Sequence, residues 1–186
     1  MGNRLFVPGA FGYAPFQKKL IDEKLGYGPD FFKGRTFLTF DDCYEEFDKL
    51  NIKGDMNPET KVCGFSAGNI AYLKYLSLKQ GKVKIKRLIS VAGTMGELRL
   101  SPKNLVCQFV LTRLGYTLTE ENMEFVKNLI PERHGFYSNC DHFISDKSLK
   151  RFIDLLGATP HFLKNHGHFG RTSGITEISG LKELLI

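Results

Sequence analysis

The six residues Gly64-Phe65-Ser66-Ala67-Gly68-Asn69 follow the short run Lys61-Val62-Cys63 and lead into a stretch with helical spacing. A serine with a glycine two residues away on each side marks either a loose turn or a bend so sharp that bulkier neighbours would strike the backbone. The flanking sequence points to the sharp bend. Lys61 to Phe65 has the composition of a buried strand, and Ile70, Tyr72, Leu73, Leu76 and Leu78 supply the apolar surface of a packed helix over Asn69 to Gln80. Strand, Gly-x-Ser-x-Gly and helix in that order project a serine hydroxyl outward at the carboxyl end of a strand.

Outward from this bend the chain alternates between the two periods. Leu5-Phe6-Val7 is apolar throughout, as a strand buried on both faces should be, and Pro8-Gly9-Ala10-Phe11-Gly12 then forces a loop. A helix is expected from Pro15 to Leu25, a strand from Arg35 to Phe40, and a helix from Cys43 to Leu50 started by Asp41 and Asp42. After Gly81, Lys86 to Ala92 reads as another strand. Residues 94–131 are less regular, with helical spacing over Leu105 to Leu114 and Glu120 to Ile130; they either complete an outer layer of helices or form a minimal cap. Alternation returns with a strand over His134 to Tyr137, a helix over Lys147 to Leu156, a strand over Pro160 to Leu163 and a helix over Ile175 to Leu185. Such spacing implies crossover units: a three-layer α/β fold with a mostly parallel central sheet, in one small domain over residues 1–186.

Composition narrows the function. With 186 residues, 42% of them hydrophobic and 25% charged, the chain can bury a sizeable core, and its 16 phenylalanines imply bulky packing, an apolar pocket, or both. The formal charge is +6, but the basic residues are spread out apart from a cluster at Lys79, Lys82, Lys84, Lys86 and Arg87, and no recognition motif accompanies them; nucleic-acid binding is not expected. No apolar stretch reaches the roughly 18 residues of a membrane span, and Pro8-Gly9 interrupts the first apolar run before it resembles a signal peptide. Cys43, Cys63, Cys107 and Cys140 lie far apart and read as buried thiols in a reducing, cytoplasmic setting.

A serine hydroxyl needs a base to take its proton, and the base needs an acid to orient it. Two late strand exits supply these types. Asp141 follows Tyr137-Ser138-Asn139-Cys140, with Asp146 as a competing acid, while Asn165-His166-Gly167-His168 offers two histidines. Cys140, His142, His166 and His168 also contain zinc-ligating types, but without close repeated ligand spacing, so no metal is expected. Gly9 and Gly12 fall short of a dinucleotide fingerprint and no phosphate-loop motif is present, so no cofactor is expected either.

Val7-Pro8-Gly9, Gly64-Phe65-Ser66-Ala67-Gly68, Asp141-His142-Phe143-Ile144 and Gly167-His168-Phe169 together resemble the α/β-hydrolase superfamily. The resemblance is closest to small, nearly lidless serine hydrolases of the retinoblastoma-binding protein nine type. It implies an α/β-hydrolase-like fold, with Ser66 as nucleophile, Asp141 as acid and His168 as base. The match departs at His142 and Ser145, where relatives commonly carry proline. In such a site Ala67 supplies one oxyanion amide and Ala10 or Phe11 the second. Phe11, Tyr13, Phe65, Phe143 and Phe169 flank the machinery and are expected to line a pocket for a small acyl substrate, namely an ester, thioester or amide with an apolar portion. The alternative is a hydrolase-like module that binds a protein partner or small molecule with little or no catalysis.

Overall fold

Strands that are apolar on both faces need cover on both, and the computed structural model, which describes residues 3–31, 39–99 and 101–186, provides it. Strands β1 (Arg4–Val7), β2 (Lys61–Phe65), β3 (Arg87–Val91), β4 (Glu132–Tyr137) and β5 (Thr159–Phe162) form one sheet in that order, every neighbouring pair parallel. The helices are α1 (Pro15–Asp22), α2 (Phe40–Ile52), α3 (Ala67–Leu78), α4 (Pro102–Arg113), α5 (Glu120–Lys127), α6 (Asp146–Leu156) and α7 (Leu181–Leu185).

Successive strand residues point to opposite faces, and two cores follow from that period. Leu5, Val7, Val62 and Leu88 face a core completed by α2, α3, α5 and α6, whereas Phe6, Cys63, Phe65, Ile89, Val91 and Phe136 face one completed by α1 and α7. Helix α3 is buried along most of its length because it packs against the sheet and also against α2 and α5. Helix α6 shows the one-sided pattern instead, with Leu149, Phe152, Ile153 and Leu156 inward, Ser145 capping its start and Gly157 in the left-handed conformation at its end. This is the three-layer α/β architecture that the alternating spacing implies. Among the described residues, no helix is long and apolar enough to cross a membrane.

Several expectations change in detail. Most of the strand expected over Arg35 to Phe40 lies outside the described residues, and its last two positions belong to α2: Thr39 caps that helix, its hydroxyl accepting from the Asp42 amide, and Phe40 is the first helical residue. Helix α1 stops at Asp22 and Lys24 turns left-handed, so the helix does not reach Leu25. Of the closing helix expected over Ile175 to Leu185 only the short α7 forms, with Gly180 at positive φ just before it; a 3₁₀ turn at Arg171–Ser173 precedes the range. Cys140 is exposed and Cys107 half-buried, so only Cys43 and Cys63 are buried thiols. Helix α5 joins the outer layer through Met123 and Val126, while most of α4 is exposed, including Leu105, Val106 and Phe109.

On the last two strands, His134 Nδ1 lies 3.1 Å from His161 Nε2, and the His161 ring stacks on Phe136 at 4.4 Å. Burial lowers the pKa of both histidines, with His161 and Arg87 lowering that of His134 further. The unfolded chain therefore takes up protons near pH 6.5, where the folded chain resists them. The stability contributed is whole above about pH 6.5 and is lost as pH falls through the lower folded values. His134→Gln is expected to flatten the fall of the urea midpoint between about pH 7 and pH 5, measured against wild type in the same buffers.

Candidate active site

All five strands are parallel, so their carboxyl ends share one edge, and the candidate residues leave from that edge: Ala10 after β1, Ser66 after β2, Asp141 after β4 and His168 after β5. Ser66 has φ 50° and ψ −124°, a backbone conformation that L-residues rarely adopt, and its amide donates to the Val91 carbonyl of β3 at 2.9 Å. The two glycines make room for this bend. A Cβ at Gly68 would collide with the Pro8 carbonyl oxygen, and one at Gly64 would collide with the side chain of Asn69. Asn69 in turn donates to the carbonyls of Ser66 and Val91, both at 3.2 Å, which fastens the bend to the neighbouring strand.

Ser66 stands at the N-cap position of α3, yet its hydroxyl makes no capping hydrogen bond. The Oγ lies instead 3.0 Å from His168 Nε2. On the other side of the ring, Nδ1 lies 2.7 Å from Asp141 Oδ2, while Asp141 Oδ1 accepts from the amides of Phe143 and Ile144 at 2.9 Å each. Asp141 is fully buried and His168 nearly so. A carboxylate accepting on both oxygens leaves Nδ1 to carry the ring proton and Nε2 free to accept from the serine.

The two late loops are joined residue by residue. Ser138 Oγ accepts from the His166 amide at 3.0 Å, Asn139 Oδ1 from the Asn165 amide at 3.1 Å, and Cys140 Sγ from the Gly167 amide at 3.1 Å; Asp141 then meets His168. The other candidates face elsewhere. His166 Nδ1 is 2.9 Å from the Lys164 carbonyl, and Asp146 begins α6, 3.5 Å from Arg99. Of the residues read for zinc, Cys140 and His168 are engaged in these loop contacts, and the His142 ring centre lies 6.5 Å from that of His168. Positioning by Asn69, Ser138, Asn139 and Cys140 is missed by the reading of the sequence, although for the last three a run of hydrogen-bonding residues directly after a strand is a usable signal.

A cavity of about 240 Å³ opens beside Ser66. Phe11, Tyr13, Phe65 and Phe143 line it, together with Ala10 and Ala67. Phe169 does not: its ring is fully buried in the core between the sheet, α1 and α7. That assignment is corrected, since the left-handed backbone at Phe169 accompanies a side chain packed into the core. The Tyr13 hydroxyl is held away from the chemistry, donating to the Pro29 carbonyl at 2.8 Å, and burial raises its pKa above the ordinary phenol value, with Asp30 adding to the effect. The Gly12 amide closes a turn onto the Gly9 carbonyl at 3.1 Å, placing Ala10 and Phe11 at the tip that borders the cavity. From residues 94–131, Leu98, Cys107 and Leu111 form part of the wall.

No protein-family model matches this chain, and no curated protein matches it by sequence. Solved structures do. The fold matches that of many α/β-hydrolase superfamily proteins. The ydeN gene product of B. subtilis is 14% identical, with 98% of this chain and 96% of that chain covered and a TM-score of 0.74. A thioesterase domain from the curacin biosynthetic pathway is 14% identical, with 99% and 90% covered and a TM-score of 0.63. A serine hydrolase from Cycloclasticus zankles is 13% identical, with 94% and 86% covered and a TM-score of 0.59. At this identity the likeness is one of fold and shows no finer family.

Gly68→Ala tests the geometry of the bend. The added methyl meets backbone that cannot move independently, so the expected cost is about 3 kcal/mol, read as a lower urea midpoint with an unchanged m-value.

Proposed function

We propose that this chain is a serine hydrolase that cleaves a small ester, thioester or amide through an acyl-enzyme. The observation that carries this proposal is the unbroken hydrogen-bonded chain from Ser66 Oγ through His168 to the buried Asp141 carboxylate. A serine held only to start a helix would turn its hydroxyl to the helix amides, and Ser66 does not.

As Ser66 Oγ attacks the substrate carbonyl carbon, its proton passes to His168 Nε2, and Asp141 stabilises the imidazolium through the Nδ1 proton. The carbonyl π bond opens and charge gathers on the oxygen, within reach of the Ala67 amide and a second amide from the Ala10-Phe11 tip. When the tetrahedral intermediate collapses, the bond to the leaving group breaks and His168 returns the proton to that group. Water, deprotonated by the same histidine, then attacks the acyl-enzyme, and a second collapse releases the acid and restores Ser66. Close packing of Gly68 on the Pro8 carbonyl draws the two amide sources together. Helix α4 acts as a minimal cap through Cys107 and Leu111, and the unpaired cysteines suit a cytoplasmic setting.

The superfamily fold and the motif resemblance to small serine hydrolases support this proposal, as do the activities named for the thioesterase domain and the Cycloclasticus hydrolase. A second reading, a binding module with little or no catalysis, draws on the exposed Leu105, Val106 and Phe109 of α4.

A fluorophosphonate probe is expected to label Ser66, with labelling lost in Ser66→Ala and strongly reduced in His168→Ala. Turnover of an activated ester should fall at least about 10³-fold in either variant. Folded wild-type protein that resists several serine-reactive probes would favour the binding module instead. The modest cavity sets a second expectation: across p-nitrophenyl esters of increasing acyl length, kcat/KM should peak at short chains and drop for long ones.

A further inference from the structure

Among the described residues, the wall of the cavity is mainly apolar apart from the Ser66–His168 pair and one stretch of its rim, where the 3₁₀ turn places Arg171 and Thr172. Among the described residues, Arg171 is the one arginine or lysine lining the cavity, and no aspartate or glutamate lines it. Its guanidinium is exposed and leans over the loop after β1, where an added Cβ on Gly12 would stand 3.5 Å from one of its nitrogens. The lack of a side chain at Gly12 leaves that path open.

Arg171 also differs from the other described arginines in having no partner among the described residues. Arg4 donates to the Leu185 carbonyl, Arg133 to carbonyls at the end of α5, and Arg87, Arg99 and Arg151 pair with carboxylates; Arg113 stacks on Phe109. Those six stabilise the fold or cover apolar surface. Arg171 presents five donors to solvent at the mouth of an otherwise apolar cavity, three residues beyond His168.

The geometry points to Arg171 as a specificity residue that selects substrates carrying an anionic group, a carboxylate or another planar or tetrahedral oxyanion, beside an apolar acyl or leaving portion. This rests on the hydrolase reading of the same site and adds the charge of the substrate to it. Guanidinium matches such groups by paired, charge-assisted hydrogen bonds, and among the described residues neither a carboxylate nor a second cation lines the cavity to interfere. Because the rim is solvated, the gain should appear mainly in KM and weaken with added salt.

The test compares matched esters at low ionic strength. One pair places the charge on the acyl side, p-nitrophenyl hexanoate against mono-p-nitrophenyl adipate; the other places it on the leaving group, phenyl hexanoate against 4-carboxyphenyl hexanoate. Wild type is expected to favour the anionic member of one pair by about tenfold in kcat/KM. Arg171→Gln should erase that ratio and Arg171→Lys should restore part of it, with the change residing in KM. Equal treatment of both members of both pairs by wild type, or an Arg171→Gln effect that falls equally on neutral and anionic esters, overturns the inference while leaving the hydrolase standing. Calorimetry of adipate and 4-carboxyphenyl hexanoate binding to Ser66→Ala, with and without Arg171→Gln, separates the two ideas. Arg171-dependent binding without ester turnover by wild type would sink the hydrolase and keep the anion site; turnover without Arg171-dependent binding would do the reverse.

Discussion

Backbone against backbone at one point governs the arrangement of the candidate site. The first turn of α3 presses so closely on the carbonyl of Pro8 that only glycine fits at position 68. This contact brings the loop after β1 against the bend after β2, so Ala67 and the Ala10-Phe11 tip border the same cavity. It also holds Ser66 in a backbone conformation that costs energy, a strain of about 1–3 kcal/mol offset by the buried α3 and by the hydrogen bonds of Asn69 to two carbonyls. The half-buried hydroxyl's direction toward His168 follows from those packed surroundings rather than from any preference of the serine itself.

The other half of the site is built from side chain-to-backbone hydrogen bonds. Four consecutive residues, Ser138 to Asp141, each accept from the loop carrying His168, three from its amides and the fourth from the ring. Such a ladder confines the imidazole to one position before any substrate arrives, which is the kind of pre-organisation on which proton transfer depends. Phe143 and Phe65 flank the His168 ring at 5.0 and 5.4 Å between ring centres, keeping it dry on two sides. Among the described residues, the same apolar walls leave Arg171 as the main polar feature at the entrance.

Much of the fold was legible in the chain because the sheet is parallel and buried. Lys61 to Phe65 is bounded in the structure as its composition suggests, and the apolar strands near Leu5 and Leu88 differ from expectation by a residue or two at their ends. Errors gathered where glycine or a left-handed residue overrides helical spacing, as at Lys24 and Gly180. Phe169 misled for another reason: its neighbour His168 faces the cavity, but adjacent residues in a turn need not share a direction, and this ring turned into the core. Cys140 was misread as buried because apolar neighbours in sequence say little about a turn whose next residue, Asp141, takes the interior position.

Local pattern alone determined that strands alternate with helices and that a serine sits at a glycine-framed bend between them, since period and turn chemistry act over a few residues. It narrowed the candidate acid and base to two short loops. Only tertiary structure decided that His168 rather than His166 reaches both Ser66 and Asp141, that Phe169 belongs to the core, and that Arg171 stands at the rim with no partner among the described residues. Those outcomes depend on contacts between distant segments, 102 residues apart for Ser66 and His168, and such contacts exist only once the parallel sheet has brought its strand ends to one edge.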